Sequence, residues 1–346
     1  MSGNARFESV DALRGLTVAA MLVVNDPGDW NHVYAPLEHS AWHGFTPTDL
    51  IFPLFLFIVG VSITLAGAST TTRAVVWRAL RIIALGLALH AIAHWSMGTR
   101  EFRPMGVLQR IGVCYGVVAV LALHTRPRTQ WLVFAMLLAG YGALLAWGGP
   151  LTKTGNIAGR VDTALLGRFA YEFDAASGTS HDPEGWLATL GAIATTLLGV
   201  RAGAWLREGW SRALWSAAAV GSVLGAGWSL WQPFNKALWT PSFVLWSGGW
   251  SLAALALAHE LITRRGLTVW GRSLGVNAIA AYAGAWLMVC VLEGLHWGAP
   301  VYARGFAWLV PLFGAEAASL AYALVFTAFW WALMRLLAQR GVRIRI

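Results

Sequence analysis

The sequence predicts an all-α, polytopic membrane protein of about ten transmembrane helices, and three observations carry that prediction. Hydrophobic residues make up 57% of the 346 and charged residues only 12%, whereas an ordinary soluble domain carries roughly a quarter charged residues. Mean hydropathy is +0.58. The few charges punctuate long apolar runs instead of coating them, so no charged skin for a water-soluble core can be assembled. The solvent for such a chain is lipid.

Runs of about 20 residues, the length that crosses a hydrocarbon core, occupy approximately 10–25, 49–68, 74–95, 105–124, 131–149, 186–205, 213–231, 240–262, 273–293 and 317–338. The first is the weakest, because Asp11 and Arg14 stand near its start; three residues apart, they share a helix face and can pair at the membrane boundary. A cleavable signal peptide is the competing reading of this segment, but Asn25-Asp26-Pro27-Gly28 lacks the small-x-small cleavage pattern. Many of the 21 tryptophans, Trp30, Trp95, Trp147, Trp231 and Trp270 among them, fall at the ends of runs, where an amphipathic ring anchors at the headgroup level. Glycines such as Gly60, Gly191 and Gly199 suit close helix contact in a bilayer.

With the N-terminus in the cytoplasm, 17 of the 25 Lys and Arg fall on the inner side and 7 on the outer, leaving Arg110 within a span. The positive-inside rule then puts both termini in the cytoplasm. The net charge of +9 reads as this topology signal and not as a nucleic-acid footprint, because the cations do not cluster on a folded motif. Acidic residues reverse the bias, with Asp26, Asp29, Glu38, Asp162, Glu172, Asp174, Asp182 and Glu184 in two long external loops, 26–48 and 150–185. Loops of this length are usually functional. Residues 1–346 read as a single domain without a strong internal repeat. Cys114 and Cys290 both lie in apolar stretches, so neither a disulfide framework nor a metal site is expected.

The first external loop concentrates the groups that acid–base chemistry uses: carboxylates at Glu38 and Asp49, imidazoles at His39 and His43, a carboxamide at Asn25, and an aromatic wall at Trp42. Histidine titrates near neutrality, so it can take a proton from an amine or hydroxyl, or itself carry an acyl group. The plainer reading is a Trp-rich interfacial loop whose His and Asp cap the following helix. Arg110, preceded by Gln109, sits in an otherwise apolar fourth span, where a guanidinium costs about 2.5–3.5 kcal/mol on the gentler insertion scale. It is expected either to face a polar cavity with an anionic ligand or to pair with a carboxylate such as Glu293 or Asp49. Asn277 and the Asn235-Lys236 pair raise the same question, while Arg78 and Arg81 read as snorkelling topology residues.

Several ordered segments resemble the heparan-α-glucosaminide N-acetyltransferase family and its bacterial homologues. They are Ser9-Val10-Asp11-Ala12-Leu13-Arg14-Gly15-Leu16, Val24-Asn25, His39-Ser40-Ala41-Trp42-His43-Gly44, Thr48-Asp49-Leu50-Ile51-Phe52-Pro53 and Gly106-Val107-Leu108-Gln109-Arg110-Ile111-Gly112. Further along come His181-Asp182-Pro183-Glu184-Gly185, Asn235-Lys236-Ala237-Leu238-Trp239 and Leu274-Gly275-Val276-Asn277, so the resemblance covers essentially the whole chain.

The resemblance implies a transmembrane acyltransferase that takes acetyl from cytosolic acetyl-CoA and delivers it to a glucosamine-type amine on the periplasmic side of the cell inner membrane. It puts the family's active-site histidine on His39 and a required asparagine on Asn25, with Asp49 as the third catalytic candidate. Arg110, Gln109, Asn277 and Arg14 become the coenzyme candidates, and Trp42, Asp182, Glu184, Asn235, Lys236 and Trp239 the acceptor candidates. His43 departs from the Asn of the eukaryotic relative, and the expected lack of a large lumenal N-terminal domain favours a small sugar. His39 would act either as a general base in direct transfer, the favoured route, or as an acetylated intermediate. Expected partners are the amino sugar and membrane lipid, with a homodimer left open and no metal or nucleic acid. An amino-sugar permease is the alternative function, followed by a non-catalytic membrane scaffold.

Overall fold

The computed structural model describes residues 7–66, 70–98, 101–268 and 271–344; Arg6, Arg100, Trp270 and Arg345 lie outside them. In chain order, α1 spans Glu8–Asn25, α2 Ile51–Leu65, α3 Thr72–Met97, α4 Val107–His124 and α5 Pro127–Trp147. Next come the short α6, Ile157–Leu165, and a hairpin of β1, Glu172–Asp174, and β2, Thr179–His181. Helices α7, Ala188–Arg207, α8, Ser211–Ser229, and α9, Pro241–Ala258, follow. The last part holds α10, Arg272–Val276, α11, Ala278–Gly294, α12, Gly298–Gly305, α13, Val310–Phe313, and α14, Ala315–Gln339. Long helices satisfy every backbone polar group within one segment, the requirement that hydrocarbon surroundings impose. Prolines at the first position of α5 and α9 mark two starts, where a missing N–H costs nothing.

Each of the ten apolar runs contains a helix. By length and composition, seven helices among the described residues could cross a membrane, or eight if α11 and α12, which meet at 94°, count as one span. Three runs fall short for local reasons. Glu8, Asp11 and Arg14 all lie in α1; glycine, serine and tryptophan dilute α8; and the ninth run is interrupted at Asn277, leaving 17 residues in α11.

Two close approaches fix the bundle. A Cβ on Gly60 of α2 would stand 1.9 Å from the Thr196 carbonyl of α7, and one on Gly199 would stand 2.0 Å from that of Phe57. Backbones can meet this closely only where side chains are absent. The same holds between α1 and α10, where Cβ atoms on Gly15 and Gly275 would lie 1.7 and 1.8 Å from the carbonyls of Gly271 and Asp11. The core is most completely buried along α2, α7 and α9, at Leu56, Phe57, Ile58, Leu197, Phe243 and Val244. The connections at 26–50, 101–106, 148–187 and 230–240 gather at one end, the loop end, through contacts of His39 with Lys236, Trp42 with Leu151 and Arg103 with Asp182. These are the connections that the charge count groups on one side.

Candidate active site

The loop end is organised around Asp49, whose place follows from local sequence. Thr46-Pro47-Thr48-Asp49 opens a 3₁₀ turn into α2, with Thr46 and Asp49 forming a reciprocal capping box. Asp49 is fully buried, and its Oδ2 accepts from the backbone N–H of Ser40 and of Thr46, each at 3.0 Å. Its Oδ1 lies 2.8 Å from Nδ1 of His39. A carboxylate held this way assigns the imidazole proton to Nδ1, leaving the Nε2 lone pair available as a base or nucleophile. His39 is half exposed.

Lys236 reaches the same ring from the loop between α8 and α9. Its Nζ stands 3.0 Å from Nδ1 and 3.2 Å from Nε2 of His39, and 3.7 Å from Oδ1 of Asp49. Burial pulls its ammonium below the usual lysine range, against the opposing pull of Asp49 and Glu184. The loop is held by Asn235, whose Oδ1 accepts from Leu238 N and whose Nδ2 lies 3.4 Å from His43 Nδ1. Trp239 follows at φ 51°, a left-handed conformation that is strained for a bulky residue. That turn buries its indole edge-on against Phe52 of α2 and donates Nε1–H to Thr195 Oγ1 of α7.

Arg110 lies in the first turn of α4, near the loop end and not at mid-membrane depth. Its guanidinium is fully buried, stacks over the Trp239 ring at 5.1 Å and donates to the Gly185 carbonyl at 3.3 Å. Neither Glu293 nor Asp49 forms a salt bridge with it among the described residues, and its Nε and Nη1 carry no partner there. Gln109, with both amide atoms unpartnered, packs against Gly86 of α3. Trp42 anchors its indole N–H on the Leu151 carbonyl and meets the edge of His181 at 5.1 Å.

Asp182 and Glu184 do not stand free for an acceptor. Both are engaged by Arg103, which donates Nε–H to Asp182 at 2.9 Å and pairs through Nη2 with both carboxylates. Burial would raise the Glu184 carboxyl, but Arg103 and then Arg110 hold it below its ordinary range. In the sequence Arg103 stands out only as one of the seven outer-side cations. Its signal was the pair of carboxylates two residues apart in a segment with no cation of its own. Asn25, at the C-terminal end of α1, is exposed and makes no hydrogen bond to His39, Asp49 or Lys236 among the described residues.

The opposite end of the bundle holds a cavity of about 1250 Å³, larger than ordinary small-molecule pockets of roughly 300–1,000 Å³. It runs beside α2 from Ala66 up to Phe55, about 16 Å at 1.5 Å per residue. Arg14, Arg78, Arg201, Arg207 and Arg343 line it, with Asp11 as the one acidic residue among the lining groups. Arg14 is positioned by Asp11 Oδ1 at 3.0 Å, the Gly275 carbonyl at 3.1 Å and Ser62 Oγ at 2.7 Å. Arg78, expected only to snorkel, lies over Tyr115 at 5.1 Å inside this cavity. Asn277 is not a neighbour of Arg110. It accepts from Ile344 N at 3.0 Å and donates to the Val342 carbonyl at 3.4 Å, tying down the segment that carries Arg343.

A helical bundle with a His–Asp pair at one end and an arginine-lined cavity entering from the other has the parts of a group-transfer enzyme handling a large anionic donor. Sequence comparison supplies the family. The profile described as "Heparan-alpha-glucosaminide N-acetyltransferase, catalytic" matches residues 6–225, and the chain belongs to that family. Heparan-alpha-glucosaminide N-acetyltransferase of Mus musculus is 29% identical over 355 residues, covering 82% of this chain and 54% of the relative. The Homo sapiens protein of the same name is 28% identical over 354 residues, covering 81% and 52%. The chain thus spans about half the length of the curated relatives it matches.

Proposed function

We propose that the protein is a transmembrane acetyltransferase, moving acetyl from acetyl-CoA in the arginine-lined cavity to an amino sugar at the loop end, with His39 as general base. The observation that carries this reading is the alignment of the two features through one bundle: the cavity reaches Phe55 and Ile111, Asp49 lies under two helical turns beyond Phe55, and Arg110 adjoins Ile111. Extended acetyl-CoA is roughly half a bilayer long or more, so phosphates among the arginines leave the thioester within reach of the loop end. Five guanidinia with one carboxylate form a donor set suited to several phosphate charges.

In the reaction, Asp49 holds His39 through Nδ1, and Nε2 takes the proton from the attacking amine. Arg110, Gln109 and Trp239 are packed in the protein interior beneath the loop end, while Trp42 and His181 form an aromatic flank for the sugar. Arg103 keeps the Asp182–Glu184 segment in place, so those carboxylates act as supports and not as acceptor ligands. We place the chain in the inner membrane with the cavity, and both termini, facing the cytoplasm, and residues 1–346 as one catalytic unit. The permease alternative loses ground, since both relatives are named as acetyltransferases.

The test is purified protein with labelled acetyl-CoA and glucosamine. N-acetylated sugar and free coenzyme in equal amounts support the proposal; labelled donor that stays intact while glucosamine crosses a vesicle membrane supports a carrier.

A further inference from the structure

The charge that builds during acetyl transfer needs a donor, and the residues expected to supply it do not meet His39. Attack of an amine on a thioester forms a tetrahedral carbon bearing a negative oxygen, and preorganised donors at that oxygen are commonly the largest catalytic term. Asn25, the asparagine that the family resemblance marks as required, makes no hydrogen bond to His39, Asp49 or Lys236 among the described residues. The Arg103 guanidinium is occupied by Asp182 and Glu184.

Among the described residues, Lys236 alone of the nearby cations stands against the His39 ring, with Nζ 3.2 Å from Nε2. Any carbonyl carbon under attack by an amine that Nε2 deprotonates must lie within a few ångströms of that nitrogen, and so beside the ammonium. Its charge is only partly offset by a long contact to Asp49. Asp49 is 3.7 Å away, and that carboxylate already accepts from His39, Ser40 N and Thr46 N. Partial burial in this ring of groups keeps water from screening it.

Resting on the acetyltransferase reading above, we propose that Lys236 is the oxyanion donor of the reaction, a catalytic residue beyond any role in binding the acceptor. The amine nitrogen forms its bond to the carbonyl carbon while the carbonyl pair moves onto oxygen beside the Lys236 ammonium, and His39 Nε2 takes the amine proton. Collapse restores the carbonyl, breaks the C–S bond, and passes that proton from His39 to the departing thiolate. Lys236 keeps its own proton throughout.

The experiment exploits the two native cysteines, Cys114 and Cys290, both buried. Lys236→Cys should lower kcat by about 10²–10³ with the KM for acetyl-CoA changed by no more than about twofold, the signature of an interaction made only in the transition state. Alkylation with 2-bromoethylamine, which rebuilds an ammonium at nearly the same distance, should return at least about tenfold of the lost kcat, while Lys236→Met given the same reagent stays inactive. A Cys variant that turns over normally, or one whose loss lies wholly in KM, overturns the assignment, as does a folded, alkylated variant that remains inactive. Should Lys236→Cys not fold, Lys236→Arg decides: it must exceed Lys236→Met in kcat. Unsubstituted protein run alongside separates the two claims. If it makes no N-acetylated product the acetyltransferase reading has failed, whereas normal product with an indifferent Lys236 removes only this inference.

Discussion

The two ends of the bundle treat charge in opposite ways. Around His39 the carboxylates are held by cations: Arg103 pairs with Asp182 and Glu184, and Lys236 and His39 gather on Asp49. At the other end five arginines share one aspartate around an open cavity. The first arrangement is complete and rigid, as a site that must hold reacting atoms in register has to be. The second lacks anions and is completed by a phosphate-bearing ligand. Chemistry and donor recognition are thereby separated along the bundle, and substitutions at the two ends should fail in different ways.

The largest effect is expected at His39. His39→Ala should reduce acetyl transfer by about 10³-fold or more, within reach of the general acid–base contribution, while the thermal midpoint and acetyl-CoA binding persist. A variant with near-normal turnover breaks the reading of the loop end. Arg103→Leu comes next and acts through folding. It leaves Asp182 without its ion-pair partner and Glu184 with only the more distant Arg110, a loss of about 3–5 kcal/mol, seen as a lowered thermal midpoint and protease cleavage within 166–187. Unchanged stability would mean that Asp182 and Glu184 are available to ligands after all.

At the arginine end the losses should be smaller and confined to the donor. Arg201→Ala or Arg78→Ala should raise the KM for acetyl-CoA by about tenfold each with kcat little changed, the pattern of lost uniform binding. Equal loss in kcat would place these residues in the chemistry instead. Asn25→Ala should have the smallest effect, below about tenfold in kcat, because it does not touch the His39 cluster; a loss of about 10²–10³ would make it the oxyanion donor in place of Lys236.

How much was legible in sequence follows the same division. Helices could be read from apolar runs, and the His39–Asp49 pair from a loop in which both lie ten residues apart, as could the Asp11–Arg14 pair one turn apart in α1. Lys236 contacts His39 across 197 positions, and no local pattern encodes a contact of that separation. Arg78, Arg201 and Arg207 were hidden for another reason: an arginine that snorkels and one that lines a cavity leave the same mark at the inner end of an apolar run. Asn277 looked like an intramembrane ligand because a lone amide in a hydrophobic stretch is expensive. The structure resolves that cost by breaking the helix there and pairing the side chain with the backbone at 342 and 344.

The most direct test of the separation is sidedness. Protein reconstituted in one orientation into sealed vesicles would receive labelled acetyl-CoA on one face and glucosamine on the other, with the faces then exchanged. The account predicts product only when acetyl-CoA meets the face carrying the arginine-lined cavity and glucosamine the face carrying His39. Product formed when both substrates share the cavity face, and absent when they are separated, would contradict transfer through the bundle.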